Sequence, residues 1–100
     1  MSPLAGGATR WRVPSDAPFA WAHSDSGHVL YHRPSGQTHF LNDGAALLLR
    51  ECLLDPRDAL EAAHALANLQ GASPDPQFLR HVEELLSHLE RVGLVEPVAV

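Results

Sequence analysis

One hundred residues, 45% of them hydrophobic and 19% charged, hold enough apolar sequence for one core and argue against a disordered chain. The formal net charge is −5, lysine is absent, and the arginines stand singly from Arg10 to Arg91. That pattern excludes a basic patch of the kind that drives phosphate binding, and it predicts mild repulsion from nucleic acid and from anionic membranes.

The single cysteine, Cys52, has no internal partner for a disulfide and sits in an apolar run, where it reads as a buried, inert thiol. No stretch is long and apolar enough to span a bilayer, and Met1 to Ala8 lacks the basic start and apolar middle of a secretory signal. The expected location is therefore the cytoplasm.

In chain order, Met1 to Ala8 is small residues and glycine and reads as a loose tail. Trp11-Arg12-Val13-Pro14 reads as a short extended arm, since Pro14 argues against a central strand. The first strand is Phe19-Ala20-Trp21-Ala22-His23, bounded by Pro18 and the turn Ser24-Asp25-Ser26-Gly27. The second is His28 to Arg33, ending at Pro34-Ser35-Gly36, and the third is Gln37-Thr38-His39-Phe40-Leu41. Two short turns predict an antiparallel meander. Alternation puts His39 and Leu41 on one face of the third strand and Thr38 and Phe40 on the other, without saying which face looks inward. Trp11 and Trp21 are expected to cover the open face of the sheet.

Asn42 or Asp43 caps a first helix over Gly44 to Leu54, apolar nearly all round and expected at the centre. Asp55-Pro56 signals a second, alanine-rich helix that runs to about Leu69 and stops near Gly71. Asp75-Pro76 opens a third, on which Phe78, Val82, Leu85, Leu89 and Val92 form a stripe with Leu79 and Leu86 beside it. Gly93 reads as the helix stop, and Leu94-Val95-Glu96-Pro97 as a short terminal strand. The predicted fold class is α+β, βββααα: a three-stranded antiparallel N-terminal sheet packed on a three-helix bundle, winged helix-turn-helix-like.

Seven histidines, at positions 23, 28, 32, 39, 64, 81 and 88, invite a metal reading. No Cys-x-x-Cys or His-Glu-x-x-His spacing supports one, so no metal or other cofactor is expected. Catalytic motifs are also missing: no Gly-x-Ser-x-Gly, no phosphate-cradling glycine loop, and no cysteine set in motif with a histidine. The chain reads as a binding protein rather than an enzyme. A winged-helix DNA-binding regulator is the alternative, but the third helix sets Arg80 and Arg91 against Asp75, Glu83, Glu84 and Glu90, a face that phosphate would repel. A third reading is a domain that dimerises through an exposed strand edge.

The stretch "VLYHRPSGQTHFLNDGAALLLRECL", the alanine-rich helix after it, and "FLRHVEELLSHLERVGLVEP" resemble the PqqD-like family of peptide chaperones, also called RiPP recognition elements. The resemblance covers residues 17–97, and its carriers are Phe40-Leu41-Asn42 with Ala45-Ala46, and Leu89 followed by Gly93-Leu94-Val95. The histidine-rich hairpin looks most like the PqqD family of the HPr-rel-A systems. The resemblance implies a peptide-binding domain over 17–97 behind a flexible arm at 1–16. It implies that the leader segment of a precursor peptide binds as a strand along Gln37, Thr38, His39, Phe40 and Leu41. The groove would then face the third helix, with Phe78, Val82, Leu85 and Leu86 as walls and His39 and His81 at the rim. The implied partners are a precursor peptide and a modifying enzyme or HPr kinase-related protein, with no nucleic acid and no membrane. The expected state is a monomer or an edge-strand dimer.

Overall fold

Three β-forming runs separated by glycine-bearing turns make the sheet that the rest of the chain packs against. The computed structural model describes residues 9–14, 19–24 and 27–98. Its elements are β1 (Arg10–Arg12), β2 (Phe19–Ser24), β3 (Gly27–His32), β4 (Gln37–Leu41), α1 (Asp43–Leu47, continued by a π-helical turn over Leu48–Cys52), α2 (Ala59–Gln70), α3 (Pro76–Arg91) and β5 (Glu96–Val98). β2, β3 and β4 pair in that order as an antiparallel meander, as their spacing predicts. Gly36, at φ 72°, takes the left-handed position that closes the second turn.

Register sorts the sheet into rows. One face carries Phe19–His32–Gln37, Trp21–Leu30–His39 and His23–His28–Leu41, and the other carries Ala20–Tyr31–Thr38 and Ala22–Val29–Phe40. Leu30 is wholly buried, and Phe19, Trp21 and Leu41 pack on the same core, so the first face looks toward the helices. Trp21 thus lies on the inner face, beneath the Arg50 guanidinium 5.0 Å from its ring. Trp11 is not on this sheet at all. The expectation that both tryptophans cover the open face is corrected: that face is left to Tyr31, Val29 and Phe40.

The helices follow their caps. Asn42 accepts from the Ala45 N–H at 2.9 Å and starts α1. After Leu47 the helix widens, the Leu53 N–H reaching the Leu48 carbonyl at 2.9 Å, and Leu48, Leu49, Cys52 and Leu53 are all buried. Burial pushes the Cys52 thiol pKa up, with Glu51 adding to the effect and Arg57 opposing it. α2 does not start at Asp55-Pro56. Asp58 and Glu61 form a reciprocal capping box, at 2.8 Å and 3.0 Å, and the helix begins at Ala59. Arg57 is held extended by a mutual backbone pair with Trp11, 2.8 Å and 3.1 Å, so no helix can form through it. α3 opens as predicted, with Asp75 accepting from the Phe78 N–H at 2.8 Å, and ends at Gly93, whose φ is 82°.

β1 pairs antiparallel with β5, Trp11 opposite Pro97, and ion pairs Arg12–Glu96 (2.8 Å) and Arg10–Glu61 (3.2 Å) flank the ribbon. The flexible arm expected over 1–16 is therefore corrected at residues 10–12, which are strand-paired to the far end of the chain. The expected loose tail at Met1–Ala8, the boundary at Pro18 and the Asp25-Ser26 part of the first turn lie outside the described residues. No helix among the described residues is long and apolar enough to cross a membrane.

Candidate functional site

An antiparallel edge strand has one side of its ladder filled, while alternate residues aim their N–H and C=O groups outward. β4 is such a strand: it pairs with β3, and among the described residues no strand pairs with its other edge. Gln37, Thr38 and Phe40 are exposed, whereas His39 and Leu41 are half-buried and face the core. Gly27 secures the end of this strand. Its φ is 146°, and a Cβ there would lie 2.9 Å from the Leu41 carbonyl oxygen, so any side chain would push against the β4 backbone.

α3 lies across the core from β4 and turns two different flanks to its surroundings. Val82, Leu86 and Leu89 form the buried centre line. On one flank Leu79, Glu83 and Glu90 meet the β1 ribbon: the Trp11 indole N–H donates to Glu90 Oε1 at 2.8 Å, and Trp11, Leu60, Leu79 and Glu83 line a shallow cavity of about 370 Å³. The other flank carries His81, Leu85 and His88 at i, i+4 and i+7. Leu85 is half-buried beside the start of α1, where a Cβ on Gly44 would sit 3.9 Å from Leu85 Cδ1. Leu41 of β4 and Leu85 of α3 pack on the same core cluster, and His39 shares the inner face of the sheet with Leu41.

These positions separate the expected site residues. Gln37 to Leu41 form the edge itself, Leu85 is half-buried beside the start of α1, and His81 is exposed one turn before it on the same flank. Phe78 is half-buried at the first turn of α3 and packs on the core. Val82 and Leu86 are fully buried and are corrected as groove walls: they belong to the centre line of the helix and support the flank from beneath.

Burial pulls the His39 pKa below its ordinary value, and the neighbouring His32 and His88 lower it further. Its Nε2 is buried with no hydrogen-bond partner among the described residues. His28 Nε2 lies 2.8 Å from Asp43 Oδ1 and joins the start of β3 to the start of α1. Two larger concavities lie elsewhere, about 670 Å³ along α2 around His64 and Asn68, and about 550 Å³ between His28, Asp43, Arg50 and Gln70. Neither is lined by a residue of β4, and strand addition needs an edge rather than an enclosed cavity. Among the described residues no three His, Cys, Asp or Glu side chains are grouped to hold a metal ion.

The architecture is thus an α+β domain of winged helix-turn-helix shape in which β4 is an edge strand of the three-stranded sheet. Over residues 27–95 the chain matches the family model for Coenzyme PQQ synthesis protein D (PqqD), and it belongs to that family. It is also similar to solved structures. One is a lasso peptide synthetase B1 complexed with the leader peptide: 28% identity, 87% of this chain and 98% of that one covered, TM-score 0.61. Another is the PqqD truncation of Methylobacterium extorquens PqqCD, described as a functional, stand-alone RiPP recognition element: 20% identity, 87% and 88% covered, TM-score 0.64. No curated protein matches the chain.

Proposed function

We propose that this protein is a non-enzymatic peptide chaperone that binds the leader segment of a ribosomally made precursor peptide as an added strand on β4 and presents it to a modifying enzyme. The edge position of β4, whose outer side pairs with no strand among the described residues, carries the reading, and the His81–Leu85–His88 flank of α3 is the proposed groove wall. Each backbone hydrogen bond gained there is worth about 1 kcal/mol net. Such bonds are indifferent to side chains, so recognition falls to the groove side, where burial of one or two leader residues adds roughly 1.5–3 kcal/mol each. The similar lasso peptide synthetase B1 was solved in complex with a leader peptide, which supports leader binding by this chain. An HPr kinase-related enzyme is the proposed recipient, and the cytoplasm the proposed setting.

Charge weighs against the DNA-binding alternative. The exposed side of α3 carries Glu83, Glu84 and Glu90 against Arg80 and Arg91, and phosphate would be repelled there. Backbone amide NMR tests the proposal, with the N-terminal segments of short reading frames beside this gene as titrants. Shifts concentrated at residues 37–41 and 81–88 are the expected result. Silence there for every segment, with shifts on adding duplex DNA, would replace the chaperone by a regulator. Mass that rises with concentration, with no response to peptide, would replace it by an edge-strand dimer.

A further inference from the structure

A strand added to β4 has two faces, and only one of them looks at α3. We infer that the leader is read on both, with Phe40 and Thr38 selecting the side chains that point away from the helices. This rests on the strand-addition reading above. It adds a second recognition surface and a class of leader residue to that reading.

The outer face of the sheet is two rows that run to the free edge, Ala22–Val29–Phe40 and Ala20–Tyr31–Thr38. Each row ends on β4, so the next place in each belongs to whatever strand pairs there. Phe40 is 78% exposed and absent from the core packing, and Tyr31 is 41% exposed. A phenylalanine exposed to that extent on an open edge is an aggregation hazard unless something covers it in use. An incoming strand does so without any further element, because directly opposed residues on one sheet face bring their Cβ atoms to roughly 4.5–5.5 Å. The small Ala20 and Ala22 lie at the far ends of the rows, so the bulk of the face is gathered at the edge where the leader arrives.

The rows also specify chemistry. Neither contains a charged residue, so a charge on the leader's outer positions would lose water and meet no partner. Aromatic and β-branched side chains pair best across from an aromatic one, and threonine or serine best across from threonine. The leader therefore carries an aromatic or β-branched residue opposite Phe40. Two residues away, opposite Thr38, it carries a small hydroxyl or β-branched one. The alternate positions are read separately by His39, Leu41 and the Leu85 flank.

Panning a displayed library of random twelve-residue peptides on the full chain tests this, with wild type, Phe40→Thr and Leu85→Ser side by side. Threonine suits an exposed strand, so Phe40→Thr should fold, which thermal unfolding checks. Wild type should enrich two interleaved period-two preferences. Phe40→Thr should lose the one outer position opposite residue 40 and bind the wild-type winners about fivefold more weakly, while Phe40→Tyr keeps both. Leu85→Ser should lose only inner positions. Peptides with a single-phase preference, or an unchanged Phe40→Thr selection, would overturn the two-face reading and leave strand addition standing. If wild type gains mass with concentration and Phe40→Thr does not, a second copy covers the patch and the inference fails. No enriched peptide for wild type would remove the strand-addition reading itself.

Discussion

The two flanks of α3 start from the same helical stripe and end differently. The Leu79–Glu83–Glu90 flank is covered by the chain's own β1, with Trp11 donating to Glu90 and the ribbon fastened by Arg12–Glu96. The other flank carries His81, Leu85 and His88, with Leu85 beside the start of α1, and among the described residues no strand pairs with the outer edge of β4. One side of the helix is thus occupied by the chain's own N-terminal strand, and the other is the side on which the proposed site lies. The difference teaches that an apolar helix stripe does not by itself mark a binding surface, since one flank of this one is occupied by a strand from the far end of the same chain.

Perturbing the helix at its centre and then on each flank tests that contrast. Leu86→Ala, beneath both flanks, should cost about 2–5 kcal/mol of stability by urea unfolding, because it removes fully buried methyl groups and leaves a cavity. Trp11→Ala on the closed flank should cost roughly 1.5–3 kcal/mol in the same measurement while leaving peptide-induced shifts at residues 37–41 unchanged. A large loss of peptide binding in that variant would show that the two flanks are not independent. Leu85→Ser on the open flank should reverse the pattern, with peptide affinity falling about tenfold by titration and a smaller change in unfolding midpoint than Trp11→Ala.

The smallest effect expected is on pH. His39 has a folded-state pKa below its ordinary 6.5, so the unfolded chain takes up the proton first as pH falls. Its contribution to stability is therefore complete above about pH 6.5 and declines as the pH drops from there toward the lower folded value. Comparing urea midpoints at pH 7.5 and 5.5 in wild type and His39→Gln checks it. The variant should show the shallower loss on acidification, and equal slopes would mean that His39 does not sense its burial in this way.

Much of this contrast was legible before any coordinates. The bounds of β4, the Asp75-Pro76 start of α3 and its stop at Gly93 rest on turn and cap chemistry within a few residues, and all three stand. The edge of the candidate site was readable for the same reason. Its walls were less so. Phe78, Val82, Leu85 and Leu86 all carry the apolar character of the stripe, and only packing shows that Val82 and Leu86 lie at its buried centre while Leu85 sits at its margin.

By itself the sequence determined the order of elements, the three-stranded meander and the presence of an apolar helix to pack on it, because alternation, periodicity and capping are short-range. Contacts between distant residues decided the rest. Arg57, pinned to Trp11, moved the start of α2 to Ala59, behind the Asp58 cap, and Arg10–Arg12 found their partner in Glu96–Val98. Alternation in β4 defines two faces but carries no sign. Only packing of Leu30 and Leu41 on the core turned His39 inward and left Phe40 outside.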